Sequence, residues 1–343
     1  MKIRAKTIVL GLLVLLVVLA LGLITMVGWQ VVLGPDARPV TDTKFEPSEA
    51  RLARGQYLVE GPMHCFLCHT EHDLSTPEFL TNPAKKGAGW VMPIPELNYP
   101  PAWNITQDVE TGIGGWSDDE IARAIREGVR KDGSALFPIM PYMDFATLDD
   151  EDLASIVVYL RTIPPVRNVL PKRQLPGPLE YIVKTIPKPI MTPQPSHPAS
   201  TPAERGKYLV TLSGCHDCHT PADDKGQPMA GLEFAGGGVF KDPSQNNKEV
   251  FSANITPDAS GMAHYNESLL MQTFRTGQVG GRMLNHIMPF ESFKLVTDAD
   301  VVDMFAYLQT LTPVKHRVSN TDPPAACAVC GQTHGLGELN VKK

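Results

Sequence analysis

The sequence predicts an all-α protein, an N-terminal transmembrane helix followed by two tandem copies of one small helical domain. Three observations point there. An apolar run opens the chain, one series of motifs occurs twice about 150 positions apart, and apolar residues recur at helical rather than alternating spacing.

The opening run extends from Ile8 to Leu33 and its only polar side chains are Thr25 and Gln30. Its 26 positions would form a helix of roughly 39 Å, against about 30 Å for the hydrocarbon core of a bilayer. Lys2, Arg4 and Lys6 would keep the preceding end in the cytoplasm, and Trp29 would lie at the far interface. Cleaved signal peptides have shorter apolar regions, so residues 1–34 read as a retained anchor. That reading makes the chain a single-pass protein of the cytoplasmic membrane with everything after Leu33 on the periplasmic side.

The repeat is read from landmarks that return in order. Ala53-Arg54-Gly55-Gln56-Tyr57-Leu58-Val59 answers Glu204-Arg205-Gly206-Lys207-Tyr208-Leu209-Val210. Cys65-x-x-Cys68-His69 answers Cys215-x-x-Cys218-His219, Asn104-Ile105-Thr106 answers Asn254-Ile255-Thr256, and Met140-Pro141 answers Met288-Pro289. Offsets of 150, 150 and 148 define a duplicated domain, spanning residues 44–168 and 200–318. Within each copy, Thr147-x-x-Asp150 and Thr297-x-x-Asp300 resemble helix starts, and each following helix stops at a proline. Ser117-x-x-Glu120 opens a middle helix with Ile121, Ile125 and Val129 on one side, and no alternating strand of useful length is present.

Eleven prolines fall among the forty residues 163–202, so the connector over 169–199 reads as an extended spacer. Leu179-Glu180-Tyr181-Ile182-Val183 is apolar enough to leave open a strap laid over a domain. With 31 basic and 37 acidic residues the chain has a net charge of −6, which argues against nucleic acid as a partner. The deficit concentrates in the first copy, where residues 44–167 hold 11 basic and 19 acidic side chains against 10 and 13 over residues 204–317. An acidic first domain would be steered towards a basic patch on a partner.

Cys-x-x-Cys-His is the attachment signature of a c-type haem. Two thiols on one helical turn add to the vinyl groups, and the adjacent histidine lies under the ring as proximal ligand. Cys65, Cys68 and His69, with Cys215, Cys218 and His219, therefore predict two covalently bound haem c groups. A redox disulfide or half of a zinc site are the bland alternatives. The sixth ligand separates an electron carrier from an enzyme acting on a small molecule. Met140 and Met288 stand 75 and 73 residues after the first cysteine of each motif and recur at matching positions. Met143 competes in the first copy, and Met283 and His286 in the second, but none has a counterpart in the other copy.

The stretch Asn104-Ile-Thr…Gly112-Ile-Gly-Gly-Trp116-Ser-Asp-Asp-Glu120…Arg126-Glu-Gly-Val129…Met140-Pro-Tyr142 resembles class I cytochrome c domains, in particular the cytochrome c subunits of membrane-bound alcohol and aldehyde dehydrogenases. The likeness covers about residues 48–168 and 200–318 and is looser in the second copy, where Tyr265 replaces the tryptophan. It implies crossed first and last helices, with Gly55 meeting Tyr159 and Gly206 meeting Tyr307, histidine–methionine iron, and electron traffic with a periplasmic dehydrogenase. The other partners it implies are a quinol-oxidising complex, a terminal oxidase or a reaction centre. Such dehydrogenase subunits usually carry three haems, whereas this chain has two attachment sites.

Two cysteines remain in the tail, residues 319–343. Cys327-Ala-Val-Cys330-Gly331 has glycine where a haem motif needs histidine. A structural disulfide between Cys327 and Cys330, or simply a pair of ordered thiols, is the commonest outcome for such a pair in an oxidising compartment. A metal clip of Cys327, Cys330 and His334, with His316 as fourth ligand, has suitable residue types. His64, His72, His197, His216 and His264 read as surface or loop residues. The leading functional reading is an electron-carrying subunit rather than a stand-alone enzyme; the alternatives are a dihaem peroxidase, which needs one haem without a permanent sixth ligand, and a docking or assembly subunit of a larger redox complex.

Overall fold

A computed structural model describes residues 2–91, 101–196 and 201–341. Helices α1 (Lys2–Val27) and α2 (Trp29–Leu33) open the chain. The first repeat unit holds α3 (Glu49–Glu60), α4 (Cys65–His69), α5 (Asp118–Glu127), α6 (Tyr142–Phe145) and α7 (Asp150–Leu160). After α8 (Gly177–Val183) the series returns as α9 (Pro202–Leu212), α10 (Cys215–His219), α11 (Glu267–Thr276), α12 (Phe290–Phe293) and α13 (Asp298–Leu308).

Two parts of the predicted architecture need correction. First, α1 forms, but among the described residues no helix is long and apolar enough to cross a membrane. The transmembrane segment, and membrane attachment through it, are therefore withdrawn. Second, the chain is not all-α. Among the described residues four antiparallel strand pairs occur: β1 (His72–Asp73) with β2 (Leu80–Thr81), β3 (Val239–Asp242) with β4 (Lys248–Phe251), β5 (Gln278–Val279) with β6 (Arg282–Met283), and β7 (Ser319–Ala326) with β8 (Thr333–Gly335). Most are too short to produce a period-two pattern, and β7 contains two prolines, which hide it from any propensity reading.

Each unit is built on the crossing of its first and last helices. A side chain at Gly55 would place its Cβ 2.0 Å from the Ser155 carbonyl oxygen, and one at Gly206 would place it 1.8 Å from that of Asp303. Only hydrogen fits at either crossing. Tyr159 lies against Gly55 as the resemblance implies, whereas at Gly206 the nearest atoms belong to Asp303 and Met304 rather than Tyr307. Leu58, Val59, Ile121, Leu153, Ile156 and Val157 form the core behind the first crossing; Leu209, Val210, Leu270, Val301 and Met304 form the second.

Side-chain caps fix the helix starts. Ser117 and Glu120 make the anticipated reciprocal capping box, and Thr297 accepts from the Asp300 N–H. The first unit differs: Asp149 caps α7, while the Thr147 hydroxyl donates to the Asp144 carbonyl instead. Aspartate is at least as good an N-cap as threonine and stands next to the helix.

Residues on either side of the first unit are laid across it. Arg38 donates to Asp119 at 2.6 Å and to the buried Glu127 at 2.8 Å, and Phe45 N–H donates to Asp118. The proline-rich connector is a strap rather than a free spacer where it is described. Val183 of α8 is fully buried, Arg173 donates to the Ala135 carbonyl, and Asp150 and Gln194 exchange backbone and carboxylate hydrogen bonds.

The units meet through equivalent residues. The Tyr57 hydroxyl donates to Asp300, and its counterpart Tyr208 donates to Asp152, the counterpart of Asp300, at 2.9 Å. His64, just before the first attachment helix, packs edge-on against Phe293 of the second unit, 5.7 Å between ring centres.

Candidate haem sites

The two attachment helices have the same local construction. Each follows a residue in the left-handed region, His64 at φ 35° and Gly214 at φ 59°, which turns the chain sharply from the preceding helix. The helical turn then brings the two cysteines and the histidine together. Burial pushes the thiols of Cys65 and Cys215 up to about 12.

Both proximal histidines are aimed by backbone carbonyls. His69 Nδ1 lies 2.6 Å from the Trp103 oxygen, and His219 Nδ1 lies 2.7 Å from the Ala253 oxygen. A carbonyl only accepts, so Nδ1 carries the proton and the Nε2 lone pair is left for iron. Burial lowers the pKa of both rings, which keeps them neutral as ligation requires. These observations fit a haem c at each motif.

Asn-Ile-Thr explains why the carbonyls stand where they do. Asn104 Oδ1 accepts from Thr106 N–H and its hydroxyl, while Nδ2 donates to the Val166 carbonyl beyond the last helix. Asn254 repeats this with Thr256 and Val314. The segment carrying the histidine's acceptor is thus tied to the chain end. Gly89 and Gly236, at φ 73° and 74°, close the other side by donating to the His69 and His219 carbonyls; a Cβ at either would lie 2.4 Å from backbone. Sequence reading noted the repeated Asn-Ile-Thr but missed its task, because the residues it holds lie some 60 positions away.

The methionine turns also match. Met140 N–H donates to Phe137 and Met288 N–H to Asn285, each at 3.1 Å. The following prolines have near-identical conformations, φ/ψ −80°/49° for Pro141 and −78°/50° for Pro289. Tyr142 and Phe290 then press their rings on Gly128 and Gly277, the left-handed caps of the middle helices. Met140 packs on the same core as Cys65, Ile105 and Trp116, and Met288 on the same core as Cys215, Ile255 and Tyr265. Of the rivals, Met143 and Met283 are more than half exposed, and the His286 ring packs against Phe290, 4.6 Å between centres.

The remaining histidines have local partners. His64 Nδ1 bonds the Pro62 carbonyl, His72 bonds Phe79 and Leu67 carbonyls, His216 sits beside Asp217, and His264 packs on Tyr265. His197 lies outside the described residues. A carboxyl pair that sequence reading overlooked lies where the units meet. Asp144, on the helix after Met140, hydrogen-bonds Asp217, which stands between Cys215 and Cys218; burial first, and then that neighbour, push Asp144 up to about 7.

No family model matches the chain. Curated relatives do. It is 28 % identical over 303 residues to the fructose dehydrogenase cytochrome subunit of Gluconobacter japonicus, covering 83 % of this chain and 57 % of that one. It is 27 % identical over 222 residues to a diheme cytochrome c-type protein of Cereibacter sphaeroides, covering 62 % and 71 %. The chain is a dihaem cytochrome c. This cytochrome also resembles the gluconate 2-dehydrogenase cytochrome c subunit of Pantoea cypripedii, at 28 % identity over 281 residues, 78 % of this chain and 60 % of that one. The dihaem cytochrome thus spans less than two thirds of the dehydrogenase subunits it matches.

Proposed function

We propose that this dihaem cytochrome relays single electrons from a dehydrogenase to a second redox protein, with Met140 and Met288 as the distal ligands, on the periplasmic side of the cytoplasmic membrane. One observation carries the relay: the units meet beside the attachment helices, where His64, just before the first, packs on Phe293 of the second unit. Asp144 of one methionine loop hydrogen-bonds Asp217 in the attachment helix of the other unit. An electron entering one unit therefore has a short path to the other. The haem supplies the redox chemistry when bound. The protein's own work is to attach it through four cysteines, to hold two neutral imidazoles on fixed carbonyls, and to present a methionine from a proline-stiffened turn, which favours a closed, low-spin iron.

The periplasmic placement rests on the chemistry of haem c attachment, and the dehydrogenase donor on the names of the relatives. Spectroscopy with a potentiometric titration tests the carrier reading: two low-spin haems, each taking one electron and neither turning over hydrogen peroxide, support it. A high-spin haem with peroxide turnover overturns it in favour of a peroxidase. Cross-linking in the periplasmic fraction tests the donor, and recovery of a dehydrogenase catalytic subunit is the expected result.

A further inference from the structure

The tail takes no part in this relay, yet it is folded tightly onto the second unit. Asn320 on β7 bonds both backbone groups of Phe251, and Asn340 bonds both backbone groups of Arg317. The turn between β7 and β8 carries Cys327 and Cys330, and β8 carries His334. His316, arriving from the end of the second unit, completes a group whose four ligand atoms all lie within 4.8 Å of one another. All four residues are buried, the two histidines completely.

The geometry is that of ligands converging on one point. Cys327 Sγ lies 3.4 Å from His316 Nε2, and Cys330 Sγ lies 3.5 Å from His334 Nε2. Tetrahedral zinc, with bonds of about 2.3 Å to sulfur and about 2.0–2.1 Å to nitrogen, sets its sulfur and nitrogen ligands about 3.6 Å apart. Each imidazole donates its Nδ1 proton to a carbonyl, His316 to Ala235 at 2.9 Å and His334 to Gly335 at 2.8 Å, so both Nε2 lone pairs face the thiols. A disulfide between the cysteines would need neither histidine.

The first unit supplies an internal control. Asn168 holds the place of His316: its amide donates to the Ala88 carbonyl as His316 donates to Ala235, and its N–H donates to Thr111 as that of His316 donates to Ser260. Asparagine suffices for that structural bond. What histidine adds in the second unit is the second ring nitrogen, and it points at Cys327.

We propose that His316, Cys327, Cys330 and His334 form a closed structural site for a zinc ion. Two sulfur and two nitrogen donors in a tetrahedral, solvent-excluded arrangement select zinc, and no position is left open for a substrate. Binding releases the two thiol protons to solvent. The ion would clamp the tail to the segment beginning at Ala235, whose next residue, Gly236, donates to the His219 carbonyl at 2.6 Å. The second haem site would thus have a metal brace that the first lacks.

The test is elemental analysis of the full-length, haem-loaded protein, purified without chelators from zinc-supplemented medium. One zinc for every two irons, with a zinc-edge X-ray absorption spectrum fitting two sulfur and two nitrogen ligands, is the expected result. His316→Asn, which copies the first unit, should lose the zinc and keep both haems. Intact mass gives the rival outcome: a chain lighter by two hydrogens, with a Cys327–Cys330 disulfide and no zinc, overturns the proposal. So does zinc content unchanged in both His316→Asn and Cys330→Ser.

Discussion

Replacing Asn104 with alanine should loosen one haem site and leave the other intact. Thr106 is fully buried, and its N–H has the Asn104 side chain as acceptor at 2.9 Å. Leaving a buried donor unpaired costs about 1–3 kcal/mol. The Val166 carbonyl loses its 2.7 Å donor and keeps only the longer Thr106 hydroxyl contact at 3.3 Å, adding about 1 kcal/mol. The sum, roughly 3 kcal/mol, corresponds to local opening on the order of 100-fold more frequent. Hydrogen exchange read by mass spectrometry resolves this, because Ile113 N–H donates to Thr106 within the affected segment, Ile105 N–H ties that segment to the Gly87 carbonyl, and the equivalent segment around Ile255 and Met262 is an internal reference. Protection should fall by about that factor over residues 104–113 alone. Asn104→Asp, which keeps the acceptor and loses the donor, should fall between. A change of less than about threefold in the alanine variant would refute the reasoning, since it would mean that the side chain does not tie the two segments together.

Three further outcomes follow from the same structure. Met140→Ala or Met288→Ala should open one iron and lower the potential of that haem, with the other nearly unchanged, while Met143→Ala should leave the potentiometric titration as it was. Gly55→Ala should destabilise the first unit by about 1–3 kcal/mol in denaturant titrations, although alanine is the better helix former by about 1 kcal/mol, because its Cβ would enter the Ser155 carbonyl; a stabilised variant would show that the crossing is looser. Asp144 makes stability depend on pH: its raised pKa means that the fold prefers the protonated form, so the stabilisation is complete at acidic pH and is lost as pH rises from about 4 through about 7. His216, raised chiefly by its hydrogen bond to Asp217, acts in the same direction, and Asp144→Asn should flatten the thermal-midpoint profile between pH 5 and 8 by the Asp144 share.

The candidate haem sites are legible in the sequence because the chemistry they imply demands adjacency. Cys65, Cys68 and His69 must share one turn, and duplication singled out Met140 and Met288 among other methionines. What was not legible depends on contacts distant along the chain. The Trp103 and Ala253 carbonyls leave no residue-type signal, since any residue supplies a carbonyl. Arg38 reads as one basic residue in an extended stretch, and only the fold brings it to Asp119 and Glu127. The strand pair β7–β8 was hidden by its prolines, and the convergence of His316 and His334 on Cys327 and Cys330, which supports the proposed metal site, depends on the fold. The opening apolar run illustrates the reverse error, since composition alone led from a helix that does form to a membrane span that the described residues do not provide.

The reciprocal contact of Tyr57 with Asp300 and Tyr208 with Asp152 is the kind made by two identical molecules about a two-fold axis. A single-haem domain able to pair with itself would already possess this interface, and joining two copies in one chain would remove the requirement that every change be made on both sides at once. The two halves differ in their flanks, the first held by straps and the second by a cysteine-bearing tail. Different surroundings would give the two sites different affinities for an electron, and in the proposed relay that inequality would bias the direction of transfer.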